Sequence, residues 1–529
     1  MGRSPLPVVR WLFAPWEGEP KRQIARWLFL RSLGGIYFSA FFSLAFQVRG
    51  LIGPEGILPA GPYLEAVAHT IGHWRGVWYA PTVLWWSSGS GMLDALCWVG
   101  IIASVLLLLN LWPRGMLAIC FVCFLSFVSA AQDFSGYQSD GMLLEAGFIS
   151  LFFAPPGLRP GLALTHPASR ASHFLLLWEW FRIYFESGMA KILSGDPQWR
   201  TFTAMDEYYQ NGPLPTWIGW YVQHLPHWFH AATAYATLAM ELGVVWMFLL
   251  PRRWRIACFF IVTPWEIGVI LTANYTFLNY LVLALGVLLL DDRFLQKFLP
   301  ARSTNTYAVS TSDNMAPHEP KWREKFGRAW SAIGLAVSAL MLSWIFYATT
   351  ALMLTTYRLP TLPIVALEPF RIANRYGLFA VMTRGRYEIE FQGSDDGKKW
   401  RPYLFRYKPQ ALNQPPRIYA PYQPRFDWNL WFASLGSWRE YPIVPNTIVR
   451  LLLNDKDVLR LFADNPFPQA PPREIRTVLW QYWFTSMEEK RNTGMWWKRQ
   501  LVGRYAPTVE RTPNGEIRAL EWDEVQPRE

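Results

Sequence analysis

Apolar residues gather in runs along this chain as far as about position 356, and there the runs stop. Each run is about 16 to 26 residues long, the length at which a helix crosses a hydrocarbon core of about 30 Å. The chain up to that point therefore reads as membrane-embedded and its last third does not. Nine spans are predicted, at 27–48, 91–111, 115–131, 140–155, 172–194, 229–250, 255–272, 275–290 and 331–355.

Positive charge orients them, because short cytoplasmic loops collect Lys and Arg. Arg3, Arg10, Lys21, Arg22 and Arg26 precede the first span, and Arg114, Arg159, Arg170 and the stretch PRRWR at 251–255 fall in the even-numbered turns. The expected organisation is a cytoplasmic segment at 1–26 and eight spans within 27–298. A flexible cytoplasmic linker at 299–330, the ninth span at 331–355 and an exoplasmic domain at 356–529 complete it. The N-terminal stretch has no short apolar core followed by a small-residue cleavage site, so the first span is read as an uncleaved signal.

The tail is expected to be β-rich. RYEIEFQGSDDGKKW alternates apolar and polar residues into a Ser-Asp-Asp-Gly turn, and IRTVLWQYWFT at 475–485 gives a second strand. Between them, NTIVRLLLNDKDVLRLF has helical spacing. The fold class is thus an α-helical polytopic membrane bundle of about nine spans with a C-terminal β-rich exoplasmic domain.

Composition excludes several functions. A formal charge of +11 is accounted for by the cytoplasmic loops and needs no nucleic-acid partner. All four cysteines, Cys97, Cys120, Cys123 and Cys258, lie in predicted spans, so the exposed parts form no disulfide. The CFVC pair sits mid-run among Phe and Val, unlike an accessible redox pair. No GxSxG, phosphate-binding loop, HExxH or GxGxxG occurs. His224, His227 and His230 lack acids or cysteines at ligand spacing, so no metal and no cofactor is expected.

Chemistry can sit where charge enters a span, since each such group costs at least about 2.5 kcal/mol without a partner or water. Asp140 and Glu145 open the fourth span, and Glu179, Arg182, Glu186 and Lys191 lie in the fifth. Glu241 and Glu266 follow. Arg182 and Glu186, four apart, can form a structural ion pair on one helix face. Lys191 has no acid at that spacing; Asp140, Glu145 and Asp196 are its candidate partners, or it reaches the headgroups. In a desolvated pocket it would act as base or anchor, with Asp140, Glu145 and Glu186 as the other catalytic candidates.

Several segments together resemble the lipase maturation factor family: LIGPEGILPAGPYL at 51–64, DGMLLEAGFI at 140–149, SGMAKILSGDPQWRTFTAMDEYYQNGPLPTWIGWYVQHLP at 187–226 and NRYGLFAVMTRGRYEIEFQGSDDGKKW at 374–400. YAPYQPRFDWNLWFASLG at 419–436, NPFP at 465–468 and WWKR at 496–499 continue the likeness. The resemblance implies a multi-span protein with an exoplasmic C-terminal domain. Animal members reside in the endoplasmic reticulum, where secreted dimeric lipases need them to fold and leave. The present chain, with no cysteine outside the membrane and ending VQPRE, looks like a bacterial inner-membrane member. SGMAKILSGDPQWRTFTAM also resembles the HTTM family, which includes vitamin K-dependent carboxylase, and DoxX-type proteins. That likeness implies that the helix end at Lys191 lines a cavity.

Two functions follow as expectations. In one, a maturation or assembly factor offers an edge or groove to secreted, lipase-like clients, with Arg425, Asp427 and Trp428 of QPRFDW as the contact or as a buried pair. In the other, a membrane-embedded enzyme or quinone-linked redox component uses Lys191 with Asp140, Glu145 or Glu186. Partners are membrane lipids, the client, and a lipid or quinone in the bundle.

Overall fold

The computed structural model describes residues 6–15, 22–298, 321–354 and 359–520. Most of the expected linker at 299–330 and the first residues of the N-terminal segment lie outside the described residues. Among the described residues the bundle is built from nine helices: α1 (Gln23–Ala45), α2 (Ser90–Leu108), α3 (Pro113–Ala130), α4 (Gln138–Phe153), α5 (Arg170–Leu193), α6 (His227–Leu242), α7 (Arg252–Thr272), α8 (Leu278–Gly286) and α9 (Lys321–Met353). Six are long and apolar enough to cross a membrane, namely α1, α2, α3, α6 with its 3-10 extension to Leu249, α7, and α9 from Ala329. The other three fall short for physical reasons. The 16 residues of α4 span only about 24 Å, α8 with its following turn ends at Leu289, and α5 carries Glu179, Arg182, Glu186 and Lys191 within its apolar run. The protein is a helical membrane protein with a β-rich C-terminus; the count of nine expected from the sequence exceeds the six helices that qualify by themselves.

One end of the bundle gathers the start of α1 and the end of α8, where Asp292 accepts from the backbone N–H of Gln23 and Ile24 at 2.8 and 2.9 Å. The other end carries the C-terminal domain. Its sheet is antiparallel in the order β2-β1-β3-β4-β5, from β1 (Arg386–Ser394), β2 (Arg401–Pro402), β3 (Glu474–Phe484), β4 (Trp497–Arg511) and β5 (Ile517–Ala519). The expected Ser-Asp-Asp-Gly hairpin forms, with Asp396 Oδ1 accepting from the N–H of Lys398 and Lys399, but it joins β1 to β2 over two pairs only. The long partner of β1 is β3, nine residues in register. Helices α10 (Arg425–Ala433) and α11 (Ile443–Leu452) pack against this sheet. A single hydrophobic cluster runs from α1 through the bundle to Ile389, Phe391 and Ile475 of the sheet. Two helices between α1 and α2, Ala60–Ile71 and His73–Tyr79, were not expected from the sequence.

The domain is held to the bundle by charge as well as by apolar packing. Arg425, at the first turn of α10, is fully buried and grips Asp140 of α4 with two parallel bonds of 2.7 and 2.8 Å. The same guanidinium donates to Phe134 O at 2.7 Å, and its backbone N–H donates to Gln47 Oε1 at 2.8 Å. Asp427, one turn away, does not meet Arg425. Its Oδ1 accepts from the backbone N–H of Tyr407 and Lys408 at 3.2 and 3.1 Å. Burial pushes the Asp427 carboxyl up to about 6 in spite of those bonds and the nearby Lys408 ammonium.

Removing one partner of a buried ion pair strands the other, at a cost of about 3–5 kcal/mol. Arg425→Met should therefore lower accumulation and melting temperature sharply, and the double variant Asp140→Leu/Arg425→Met should recover much of both; equal behaviour of single and double variants would show that the pair contributes little. For Asp427 the folded state binds the proton more tightly than the unfolded chain, so its contribution is present below its ordinary value of 3.8 and is lost as pH rises to about 6. Melting of the parent relative to Asp427→Asn should fall across that window and then level off; a flat difference removes Asp427 as the titrating group.

Candidate functional site

Three charges of α5, on Arg182, Glu186 and Lys191, face inward and find partners on other elements, whereas neither carboxylate oxygen of the buried Glu179 has a hydrogen-bond partner among the described residues. Arg182 is fully buried and pairs with Glu145 of α4, with Glu186 Oε1 farther off at 3.7 Å. Its Nη1 donates to the carbonyl of Asn374 at 2.7 Å. The segment beginning at Asn374 leads from α9 into β1, and two carboxylates receive its backbone: Glu145 Oε2 accepts from Asn374 N at 3.0 Å, and Glu186 Oε2 from Tyr376 N at 2.6 Å. Gly141 makes this insertion feasible, because a Cβ there would stand 2.5 Å from Asn374 Oδ1. The sequence-level pair of Arg182 and Glu186 is thus one edge of a larger knot whose closest contact is to Glu145.

Lys191, on the last turn of α5, is 4% exposed. Its ammonium donates to Ser187 Oγ at 2.6 Å and to Glu241 Oε1 of α6 at 2.8 Å, and lies 5.3 Å from the ring centre of Trp199. None of the three acids expected for it is its partner. Asp140 belongs to Arg425 and Glu145 to Arg182. Asp196 accepts from Met382 N at 2.7 Å and from Gln198 N at 3.0 Å. Lys191, Asp140, Glu145 and Glu186 therefore do not converge on one centre. Arg425, Asp427 and Trp428, expected as a client contact or as a buried pair, are 0%, 1% and 7% exposed; Arg425 and Trp428 meet the bundle, the Trp428 ring 5.1 Å from that of Tyr137, while Asp427 turns to its own domain.

Lys191 does face a cavity. About 310 Å³ of space lies between α5, α6, α7 and α8, closed by the loop around Trp199–Tyr209 and by Tyr376, Leu378 and Phe379. The walls are mainly apolar, with polar pairs set into them: Lys191 with Glu241, Tyr184 donating to Glu266 Oε2 at 2.6 Å, and Tyr275 donating to the Tyr208 hydroxyl at 2.7 Å. Glu241 Oε2 and Asn279 Nδ2 have no hydrogen-bond partner among the described residues. A buried ammonium flanked by a carboxylate and a hydroxyl can hold a carbonyl or hydroxyl of a guest, and the apolar walls suit a hydrocarbon body. Among the described residues no group of three His, Cys, Asp or Glu is placed to hold a metal.

Glu241 and Glu266 were visible as isolated acids in apolar runs, although nothing in their spacing linked them to Lys191 or Tyr184. Tyr184, Tyr208, Tyr275 and Asn279 gave no signal, since aromatic and amide residues are common near span ends.

This architecture has relatives. A family model for the lipase maturation factor transmembrane domain matches residues 24–297, more than half of the chain, and one for the lipase maturation factor C-terminal domain matches 372–507. The chain is similar to lipase maturation factor 2 of Gallus gallus, 31% identical over 588 residues that cover 93% of this chain and 82% of that protein. The Homo sapiens lipase maturation factor 2 is 30% identical over 595 residues, covering 92% and 83%. Lipase maturation factor 1 of Bos taurus is 29% identical over 537 residues, covering 97% and 94%. No solved structure matches. The HTTM and DoxX likeness gains nothing from these matches. With both halves of the chain matched in order and the two joined by a buried ion pair, the protein belongs to the lipase maturation factor family.

Proposed function

We propose that this protein is a membrane-held maturation or assembly factor that presents its C-terminal domain to secreted clients, lipase-like proteins among them. Its relatives carry that role in their names. The observation that carries the reading is the free side of β4. From Lys498 to Pro507 this strand has β3 on one side and, among the described residues, no strand on the other, because β5 pairs only with Val509–Arg511. Leu501 and Val502 are each 51% exposed on that stretch. An open strand edge with apolar side chains offers backbone donors and acceptors to an extended client segment. Trp74 and Trp86, in the connection between α1 and α2, add exposed aromatic surface.

In this reading the end of the bundle holding Arg22, Arg26, Arg114 and Arg252 is cytoplasmic and the domain at 356–529 is exoplasmic, as the charge bias supports. A bacterial inner membrane is favoured over the endoplasmic reticulum, since all four cysteines are free and buried in the bundle and the domain needs no disulfide. The cavity supports a second reading, in which Lys191 anchors a membrane-soluble lipid or quinone.

A photo-crosslinking residue placed at Leu501 or Val502 should trap secreted proteins, and Leu501→Lys should reduce the capture by about an order of magnitude without lowering accumulation, because edge lysines block strand addition. No captured secreted protein at either position would sink the client reading. Lys191→Met strands Glu241 and should reduce accumulation, whereas Lys191→Met/Glu241→Leu should restore both accumulation and capture. A double variant that accumulates and captures but no longer matures the client would give the cavity ligand the central role.

A further inference from the structure

The end of the bundle away from the C-terminal domain holds a second pocket, of about 350 Å³, between the first turn of α1, the start of α5 and the start of α7. Its charge is one-sided. Arg22, Arg26, Arg170 and Arg255 line it together with His173, and no Asp or Glu is among the described residues that do so.

The nearest carboxylates are occupied elsewhere. Asp291 pairs with Arg252 and caps Phe294 N at 2.9 Å, while Asp292 receives Gln23 N and Ile24 N. Arg26 is satisfied by the carbonyls of His166 and Ala163 at 2.7 and 3.2 Å. Among the described residues Arg22 has the His173 ring, at 2.8 Å, as its polar partner on the pocket wall, and Arg255 Nε has no hydrogen-bond partner. Burial, and then the like charge of Arg255, lower the Arg22 guanidinium to about 10 against the opposing pull of Asp291 and Asp292. Among the described residues no carboxylate lines the pocket itself.

The remaining wall is apolar. Phe174, Leu177, Phe248 and Leu249 form it, with Phe174 37% and Leu249 57% exposed. A soluble anion would use the arginines and leave this wall unfilled. We infer that the pocket binds an anionic phospholipid, its phosphate between Arg22 and Arg255 and an acyl chain along Phe174 and Leu249. Guanidinium groups suit a phosphate because their planar donors meet two oxygens at once, and basic pockets between membrane helices are suited to such headgroups.

Native mass spectrometry of the full chain in detergent tests this with three probes: dioleoyl phosphatidylglycerol, dioleoyl phosphatidylcholine and glycerol 3-phosphate. Phosphatidylglycerol should be retained about tenfold over phosphatidylcholine, and the Arg22→Gln/Arg255→Gln variant should narrow the preference to about twofold or less. Millimolar glycerol 3-phosphate should displace none of the lipid. Leu249→Glu, at an exposed position on the apolar wall, should weaken retention several-fold and serves if the double variant does not accumulate. Equal retention of the two lipids, or a preference unchanged in both variants, overturns the site. Displacement by glycerol 3-phosphate makes it a phosphate site with no lipid specificity.

Discussion

The pair between Arg425 and Asp140 is the contact on which the rest of this architecture turns. Both side chains are fully removed from solvent, so each has lost its hydration, and the two parallel bonds, the carbonyl of Phe134 and the Phe127 and Tyr137 rings 4.8 and 5.5 Å away replace it. A mutual dependence of that kind fixes α10 against α4 in one orientation. Shape complementarity among apolar side chains alone tolerates small slips, whereas a bidentate guanidinium does not. The same logic recurs nearby, where Glu145 of α4 and Glu186 of α5 bind backbone N–H groups of the segment entering β1. Interior charge in this bundle is spent mainly on joining its two halves.

The cavity inherits that arrangement. Three of its wall residues, Tyr376, Leu378 and Phe379, come from the segment that those carboxylates hold, and the others come from the helices and the loop after α5. Docking of the C-terminal domain and completion of this wall therefore depend on the same segment.

The sequence exposed whatever depends on local periodicity. Apolar runs located the helices of the bundle, alternation located β1 and β3, and the three- and four-residue spacing in NTIVRLLLNDKDVLRLF located α11 and the short helix after it. Partner choice was hidden, because Lys191 and Glu241 are 50 residues apart and Arg425 and Asp140 are 285 apart. Helical spacing could pair Arg182 with Glu186, yet the closer acid arrives from another helix. Strand β4 was missed since Gly503 and Pro507 interrupt it, and its pairing with β3 carries register shifts that blur the alternation. QPRFDW could be read as a contact surface or as a buried Arg425–Asp427 pair; both residues are buried, but the acid that meets Arg425 is Asp140 of α4.

The separation of Arg425 from Asp140 also sets an order of assembly. A ribosome adding about 5–20 residues per second leaves Asp140 in place for roughly 15–60 s before Arg425 exists. Through that interval α4 sits beside its neighbours with a carboxylate that has no cation, and the bundle cannot close into its final packing. The interior of the membrane half thus waits during synthesis for a residue of the C-terminal domain before its buried carboxylate is paired.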